Sequence, residues 1–224
     1  VERSVVVVAG GSGSRMGAPV PKQFLELQGK PILMHTLQRF EEAFPGIRLI
    51  VVLPETQIQT WESLCRQHQF ECSHETVAGG ETRFQSVQNG LALIEGGLVA
   101  VHDGVRPLVS LKTIRETFAE AELTGAAVPV VPVNESVRMV SQSHSKSLDR
   151  SQLRIVQTPQ VFRYAWMKEA FSQEYREAFT DCASVLESAG FPISTTEGNA
   201  ENLKITRPVD LLLAEAILSS GFVF

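Results

Sequence analysis

Four short runs of branched apolar residues punctuate the chain, at Val5–Ala9, Leu49–Leu53, Leu98–His102 and Ala126–Val131. Each has the length and composition of a strand buried on both faces. Between them the apolar positions recur at helical spacing. Ile32, Thr36, Leu37, Phe40 and Phe44 form one stripe that begins beside Pro31, and a second helix follows Pro54. Thr82-Arg83-Phe84-Gln85 has the form of a capping box, and Phe84, Val87, Leu91 and Ile94 continue one helical face from it. Ser110 caps a helix through Ile114 and Phe118, and Pro208 opens a last helix carrying Val209, Leu212, Leu213 and Ile217. Strand and helix alternate, which predicts an α/β fold: a Rossmann-like three-layer sandwich around a mostly parallel, twisted sheet.

One segment breaks this rhythm. From Val133 to Gln157 the chain is polar and serine-rich at its centre, with Val137 and Met139 alternating before the polar turn and Leu153 and Ile155 after it. That pattern predicts a protruding β-hairpin arm at about 133–157. A lone two-stranded ribbon is marginal in water, so the arm is expected to be stabilised by a second subunit.

Composition narrows the picture. A chain of 224 residues with 43% hydrophobic residues supports one well-buried core, so residues 1–224 are read as a single domain. The net charge of -5 disfavours a nucleic-acid partner and makes any cationic cluster a local device, suited to a small polyanion. The three cysteines, Cys65, Cys72 and Cys182, form no C-x-x-C pair, which points to a reducing compartment and no structural zinc. No apolar run reaches the ~20 residues needed to cross a bilayer. The first residues enter a strand at once, without a basic leader. The expectation is a cytoplasmic protein that binds neither membrane nor nucleic acid.

The candidate chemistry starts where the first strand ends. Ala9-Gly10-Gly11-Ser12-Gly13-Ser14-Arg15-Met16-Gly17, followed by Pro21-Lys22-Gln23, is a loop of small residues carrying two cations. Small residues let backbone N–H groups approach phosphate oxygens, while Arg15 and Lys22 neutralise charge. Spacing excludes two familiar loops. A dinucleotide fingerprint needs a third glycine where Met16 stands, and a Walker loop needs a Gly-Lys-Ser or Gly-Lys-Thr that the chain lacks. The run resembles the signature loop of nucleotidylyltransferases that activate sugars and polyol phosphates.

Further polar motifs fall at predicted strand ends, where ligands of open α/β sheets sit. Gly79-Gly80-Glu81 enters a helix with its N–H groups expected to face a ligand. His102-Asp103-Gly104-Val105-Arg106-Pro107 offers a carboxylate for a ribose hydroxyl or Mg²⁺ and a guanidinium for phosphate. His102, ending an apolar strand, is expected to be an orienting core histidine and not a catalyst. Asp149-Arg150 is placed on the return strand of the arm, Thr158-Pro159-Gln160 where it rejoins the body, and Thr180-Asp181 at a helix start. Asn202-Leu203-Lys204-Ile205-Thr206-Arg207-Pro208 precedes the last helix.

Taken in order over residues 4 to 218, these motifs resemble the 2-C-methyl-D-erythritol 4-phosphate cytidylyltransferase family of non-mevalonate isoprenoid biosynthesis. The resemblance implies a homodimer whose arms complete each other's sites, a Mg²⁺ cofactor, and CTP and a polyol phosphate as substrates. It places Ala9, Gly10 and Gly11 along the CTP site and Gly80, Glu81 and Ser86 at the cytosine. Arg15 and Lys22 match cations on the triphosphate, Lys204 the lysine on the reacting α-phosphate, and Asp103 the aspartate near the ribose and metal. Arg106, Arg150 and Thr158 match positions that hold the polyol phosphate, with Ser136 and Arg150 in the arm. Ser136 stands where threonine is common and Val105 where alanine is common.

The implied reaction is attack by a phosphate oxygen on the α-phosphorus of CTP. A monoester with a second pKa of ~6 is already ionised at neutral pH, so no general base is required. Ribitol 5-phosphate cytidylyltransferases share these motifs and remain an alternative, as does a CTP-binding module without turnover. The retained Lys22, Arg106 and Lys204 speak against the latter, and the missing third glycine against a dehydrogenase.

Overall fold

The computed structural model describes residues 1–11 and 20–221. Ser12 to Gly17, and Arg15 with them, therefore lie outside the described residues. In chain order the body runs β1 (Arg3–Val8), β2 (Glu26–Leu27), β3 (Lys30–Pro31), α1 (Ile32–Ala43), β4 (Arg48–Leu53) and α2 (Glu55–Gln67). Next come β5 (Glu75–Ala78), α3 (Arg83–Leu91), β6 (Leu98–Asp103), α4 (Leu111–Thr124) and β7 (Ala126–Pro132). The remainder is β8 (Val137–Val140), β9 (Ser145–Leu148), β10 (Arg154–Val156), β11 (Gln160–Arg163), α5 (Tyr164–Ala170), α6 (Cys182–Ser188), β12 (Ser194–Glu197) and α7 (Pro208–Ser219).

The main sheet has the order β10-β7-β11-β6-β1-β4-β5, with β12 on β7. Its β6-β1-β4-β5 part and the β12–β7 pair are parallel, while β10 and β11 run antiparallel to their neighbours. Period-two alternation divides the apolar strands between two layers. Val5, Val7, Leu98 and Ala100 pack with Phe40, Trp61 and Phe118 from α1, α2 and α4. Val6, Val99 and Val101 pack on the other face with Phe84, Met167 and Leu186 from α3, α5 and α6. Helices thus cover both faces of the sheet, as the alternation of motifs predicts.

The caps read from the sequence are present. Thr82 and Gln85 form a capping box, Ser110 accepts from the Thr113 N–H, and Pro208 occupies the first turn of α7. The last helix is less buried than its apolar content suggests: Val209, Leu212 and Leu213 are exposed, and Ala214 is the buried position.

The arm region departs from expectation. β8 pairs with β9, Val137 opposite Leu148, as a separate two-stranded sheet. Leu153 and Ile155 are not its partners; Ile155 pairs with Val131 of β7, extending the main sheet edge. Asp149 therefore lies not on a return strand but at the cap of a short 3-10 turn, Arg150–Gln152. The register slipped because the serine-rich centre carries no apolar residue to fix where the hairpin closes.

α3 lies close on the sheet through Gly90, where an added Cβ would come 2.5 Å from Val6 Cγ1 and 3.2 Å from Val52 Cγ2. Alanine would gain about 1 kcal/mol of helix propensity but overpack a rigid strand surface at about 1–3 kcal/mol. Gly90→Ala is expected to lower the urea midpoint; an unchanged or higher midpoint would show that the helix can lift off the sheet freely.

Candidate functional site

At the carboxyl ends of β1 and β6 the backbone opens into a pocket lined by Ala9, Gly10, Gly11, Lys22, Asp103 and Lys204, and by Gly80 to Arg83 and Ser86 across from them. Nine residues predicted from the sequence therefore share one cavity: Ala9, Gly10, Gly11, Lys22, Gly80, Glu81, Ser86, Asp103 and Lys204.

Each is positioned by its local fold. Lys22 opens a 3-10 turn ending in buried Phe24, whose ring stacks on Trp61 at 6.0 Å. That anchor lays the lysine against Gly11, where any Cβ would meet Lys22 Cε and Nζ at 2.9 Å. Lys204 is set between two fixed points. The buried Asn202 donates to the Thr158 carbonyl at 2.9 Å, and the Ile205 N–H donates to the Val105 carbonyl at 2.9 Å.

Asp103 is the electrostatic centre. Lys204 Nζ and Arg106 Nε approach its Oδ2 at 3.1 and 3.0 Å, and Arg83 Nε lies 4.0 Å from Oδ1. Burial alone would raise the pKa of this carboxyl, but the charges of Lys204, Arg83 and Arg106 outweigh it and hold the group well below the usual carboxylate range. Three cations around one carboxylate leave local positive charge on a chain of net -5, the arrangement expected for a polyanionic ligand.

Strand alternation sends the neighbouring His102 the other way. It is fully buried beneath the sheet, edge-on to Phe40 at 4.9 Å. The Asp103 N–H donates to Thr158 Oγ1 at 3.2 Å, the Thr158 hydroxyl lies 3.0 Å from His102 Nδ1, and His102 Nε2 faces the Arg106 carbonyl at 3.2 Å. A neutral ring that donates from Nε2 and accepts at Nδ1 satisfies every partner. His102 is thus an orienting residue, as the sequence suggests. Thr158 and Arg106 do not line the pocket; both hold Asp103.

The Gly79–Glu81 loop corrects one expectation. Its N–H groups are not open to a ligand: Gly79 donates to the Leu53 carbonyl, Gly80 to Ser86 Oγ at 3.2 Å and Glu81 to Gln85 Oε1 at 2.8 Å. The capping box consumes donors that a bare helix start would have offered. What the loop presents to the pocket is its shape and the edge of Ser86. Ser136 and Arg150 are exposed and lie in the hairpin region, away from this cavity, with Arg150 donating to the Asn134 carbonyl. Arg83 is legible in the sequence as a helix-start residue without an assigned role, because capping and ligand contact give the same signal.

Comparison with known proteins then decides the family. The model described as IspD: 2-C-methyl-D-erythritol 4-phosphate cytidylyltransferase matches residues 4–220. The chain belongs to the 2-C-methyl-D-erythritol 4-phosphate cytidylyltransferase family. It is 48% identical to the cytidylyltransferase of Bacteroides thetaiotaomicron, covering 97% of this chain and 100% of that protein. It is 51% identical to that of Porphyromonas gingivalis, over 98% and 99%. The crystal structure of 2-C-methyl-D-erythritol 4-phosphate cytidylyltransferase from Thermus thermophilus superposes with a TM-score of 0.79 at 32% identity, over 98% and 100% of the chains. The family is one of nucleotidyltransferases, and this cytidylyltransferase is an enzyme.

Burial lowers the His102 pKa to about 4, against smaller raising effects from Asp103 and the Arg106 carbonyl. Because that value lies below the ordinary 6.5, the unfolded chain takes up the proton first as pH falls. The contribution of neutral His102, up to about 3 kcal/mol, is whole above pH 6.5 and is lost between there and about 4. Urea unfolding of the cytidylyltransferase across that range should show a stability slope that flattens in His102→Asn; an identical slope would mean His102 is not the group titrating.

Proposed function

We propose that this cytidylyltransferase joins CTP and 2-C-methyl-D-erythritol 4-phosphate, giving 4-diphosphocytidyl-2-C-methyl-D-erythritol and pyrophosphate, with the cations around Asp103 as its catalytic centre. The observation that carries this reading is the convergence of Lys22, Lys204 and Asp103 on one pocket beside the glycine loop. A phosphate oxygen of the polyol phosphate forms a bond to the α-phosphorus of CTP, the bond from that phosphorus to the α–β bridging oxygen breaks, and pyrophosphate leaves with the electron pair. Lys22, with Arg15 from the loop outside the described residues, neutralises the triphosphate. Lys204 neutralises the charge that grows on the α-phosphate. Catalysis on this account is alignment and electrostatic stabilisation.

Ala9, Gly10 and Gly11 take the nucleotide along the strand end, and Gly80, Glu81 and Ser86 select cytosine by the width of the slot. Arg106 and Thr158 serve the polyol phosphate side by fixing Asp103. A divalent cation fits the residues present: Mg²⁺ uses one or two carboxylates plus substrate phosphates, and Asp103, a carboxylate lining the pocket, would be its protein ligand. When bound, Mg²⁺ would supply charge neutralisation of the phosphates.

The arm supports a homodimer. Met139, Val140, Ile155 and Val156 are exposed in the hairpin and the strand behind it, so a partner covering them would bring Ser136 and Arg150 to the neighbouring site. Cys65, Cys72 and Cys182 are free thiols, in keeping with a reducing cytoplasmic setting, and among the described residues no helix is long and apolar enough to cross a membrane.

Pyrophosphate release with 2-C-methyl-D-erythritol 4-phosphate, against ribitol 5-phosphate, tests the reading directly. Lys204→Ala leaves Asp103 with two cations and should fold, as should Lys22→Ala; each is expected to lose about 10²–10³-fold in kcat, and near-normal turnover would remove that lysine from the mechanism. In Arg150→Ala, KM for the polyol phosphate should rise while KM for CTP holds. The reverse pattern would take the arm away from the second substrate.

A further inference from the structure

Two arginines approach Asp103, and they differ in what they have left for a ligand. The Arg106 side chain is 13% exposed. It gives Nε to Asp103 Oδ2 and Nη1 to the Asn202 carbonyl at 2.7 Å, so its guanidinium is built into the framework that carries Lys204. It does not line the pocket.

Arg83 does line it, with its side chain 32% exposed. Its Nε is 4.0 Å from Asp103 Oδ1, beyond hydrogen-bond reach. Among the described residues its one hydrogen bond runs from Nη1 to Cys182 Sγ at 3.2 Å, and sulfur is a weak acceptor. The Asp181 charge acts on Arg83 only at longer range, and its oxygens accept from the Ser184 N–H and Gln160 Nε2. A guanidinium carries five donors in a fork that matches phosphate, and the rest of the Arg83 fork has no hydrogen-bond partner among the described residues, on a side chain that lines the pocket.

The sheet order indicates which phosphate it meets. β6 lies between β1 and β11. The glycine loop and Lys22 follow β1. On the other side, Gln160 at the start of β11 accepts the N–H groups of Cys182 and Ala183 and pins α6 there. Arg83 spans from Asp103 at the end of β6 to Cys182 at the start of α6, the helix that Gln160 pins beside β11. In-line displacement brings the nucleophile in opposite the leaving group. If pyrophosphate leaves from the glycine loop and Lys22, the attacking phosphate enters from the β11 side.

We propose that Arg83, through its open fork, binds and orients the attacking phosphate monoester of the second substrate. The inference rests on the cytidylyl-transfer reading above. Initial rates of pyrophosphate release in wild type, Arg83→Gln and Arg83→Lys, with CTP and 2-C-methyl-D-erythritol 4-phosphate varied separately, test it alongside a thermal-shift titration with CTP and Mg²⁺. Loss of charge-assisted hydrogen bonds implies a rise of about 10- to 100-fold in KM for the polyol phosphate in Arg83→Gln. The rise should be smaller in Arg83→Lys, with KM for CTP and the CTP-induced shift unchanged.

An unchanged KM for the polyol phosphate in Arg83→Gln, or an equal rise for CTP, would overturn the proposal. If Arg83→Gln gives no CTP-induced shift, Arg83→Lys decides, and wild-type KM values there overturn it. A wild-type protein that releases no pyrophosphate refutes the cytidylyl-transfer reading instead.

Discussion

The carboxylate of Asp103 holds together segments that are far apart in the chain: the end of β6, the start of α3 through Arg83, the turn after β6 through Arg106, and the approach to α7 through Lys204. A carboxylate this buried is stable as an anion only because those cations surround it. Conversely, the cations can be gathered into one cleft of an acidic protein only because the carboxylate tempers their mutual repulsion. The charge offered to a ligand and the structural glue are the same set of atoms. A triphosphate entering the pocket would meet cations already in place, so little reorganisation is required at the moment of reaction.

The sheet makes that arrangement possible. Successive residues of β6 face opposite layers, so His102 goes into the apolar layer with Phe40 while Asp103 turns toward α3. The histidine is neutral there, and its two ring nitrogens connect Thr158 to the Arg106 carbonyl. The polar chain from Asp103 through Thr158 and His102 to Arg106 is closed and fully paired, which rigidifies the turn bearing the carboxylate. Asn202 and Ile205 do the same for Lys204 from the other side of the cleft.

Much of this is legible in the residues. The four apolar runs fall within or beside β1, β4, β6 and β7, and the caps at Thr82, Ser110 and Pro208 are where their local chemistry puts them. Local interactions decide such features, so a linear reading finds them. The short strands β5, β11 and β12 are not legible. Ser194–Glu197 is polar in composition, and it is a strand because β7 offers it a parallel edge. The hairpin register fails for a related reason: Ser147 and Lys146 face Arg138 and Met139, a pairing that no hydrophobic pattern encodes.

The sequence by itself determined the layered α/β architecture, the glycine loop after the first strand and the set of cations that could meet a phosphate, because periodicity, capping and residue chemistry are local properties. Only the tertiary structure decided how those groups divide their labour. Whether a guanidinium or an N–H serves the ligand or the framework depends on which partners lie within about 3 Å of it. That is set by elements distant in the chain, which is why Arg106, Thr158 and the Gly79–Glu81 amides proved to be committed internally while Arg83 faces the pocket.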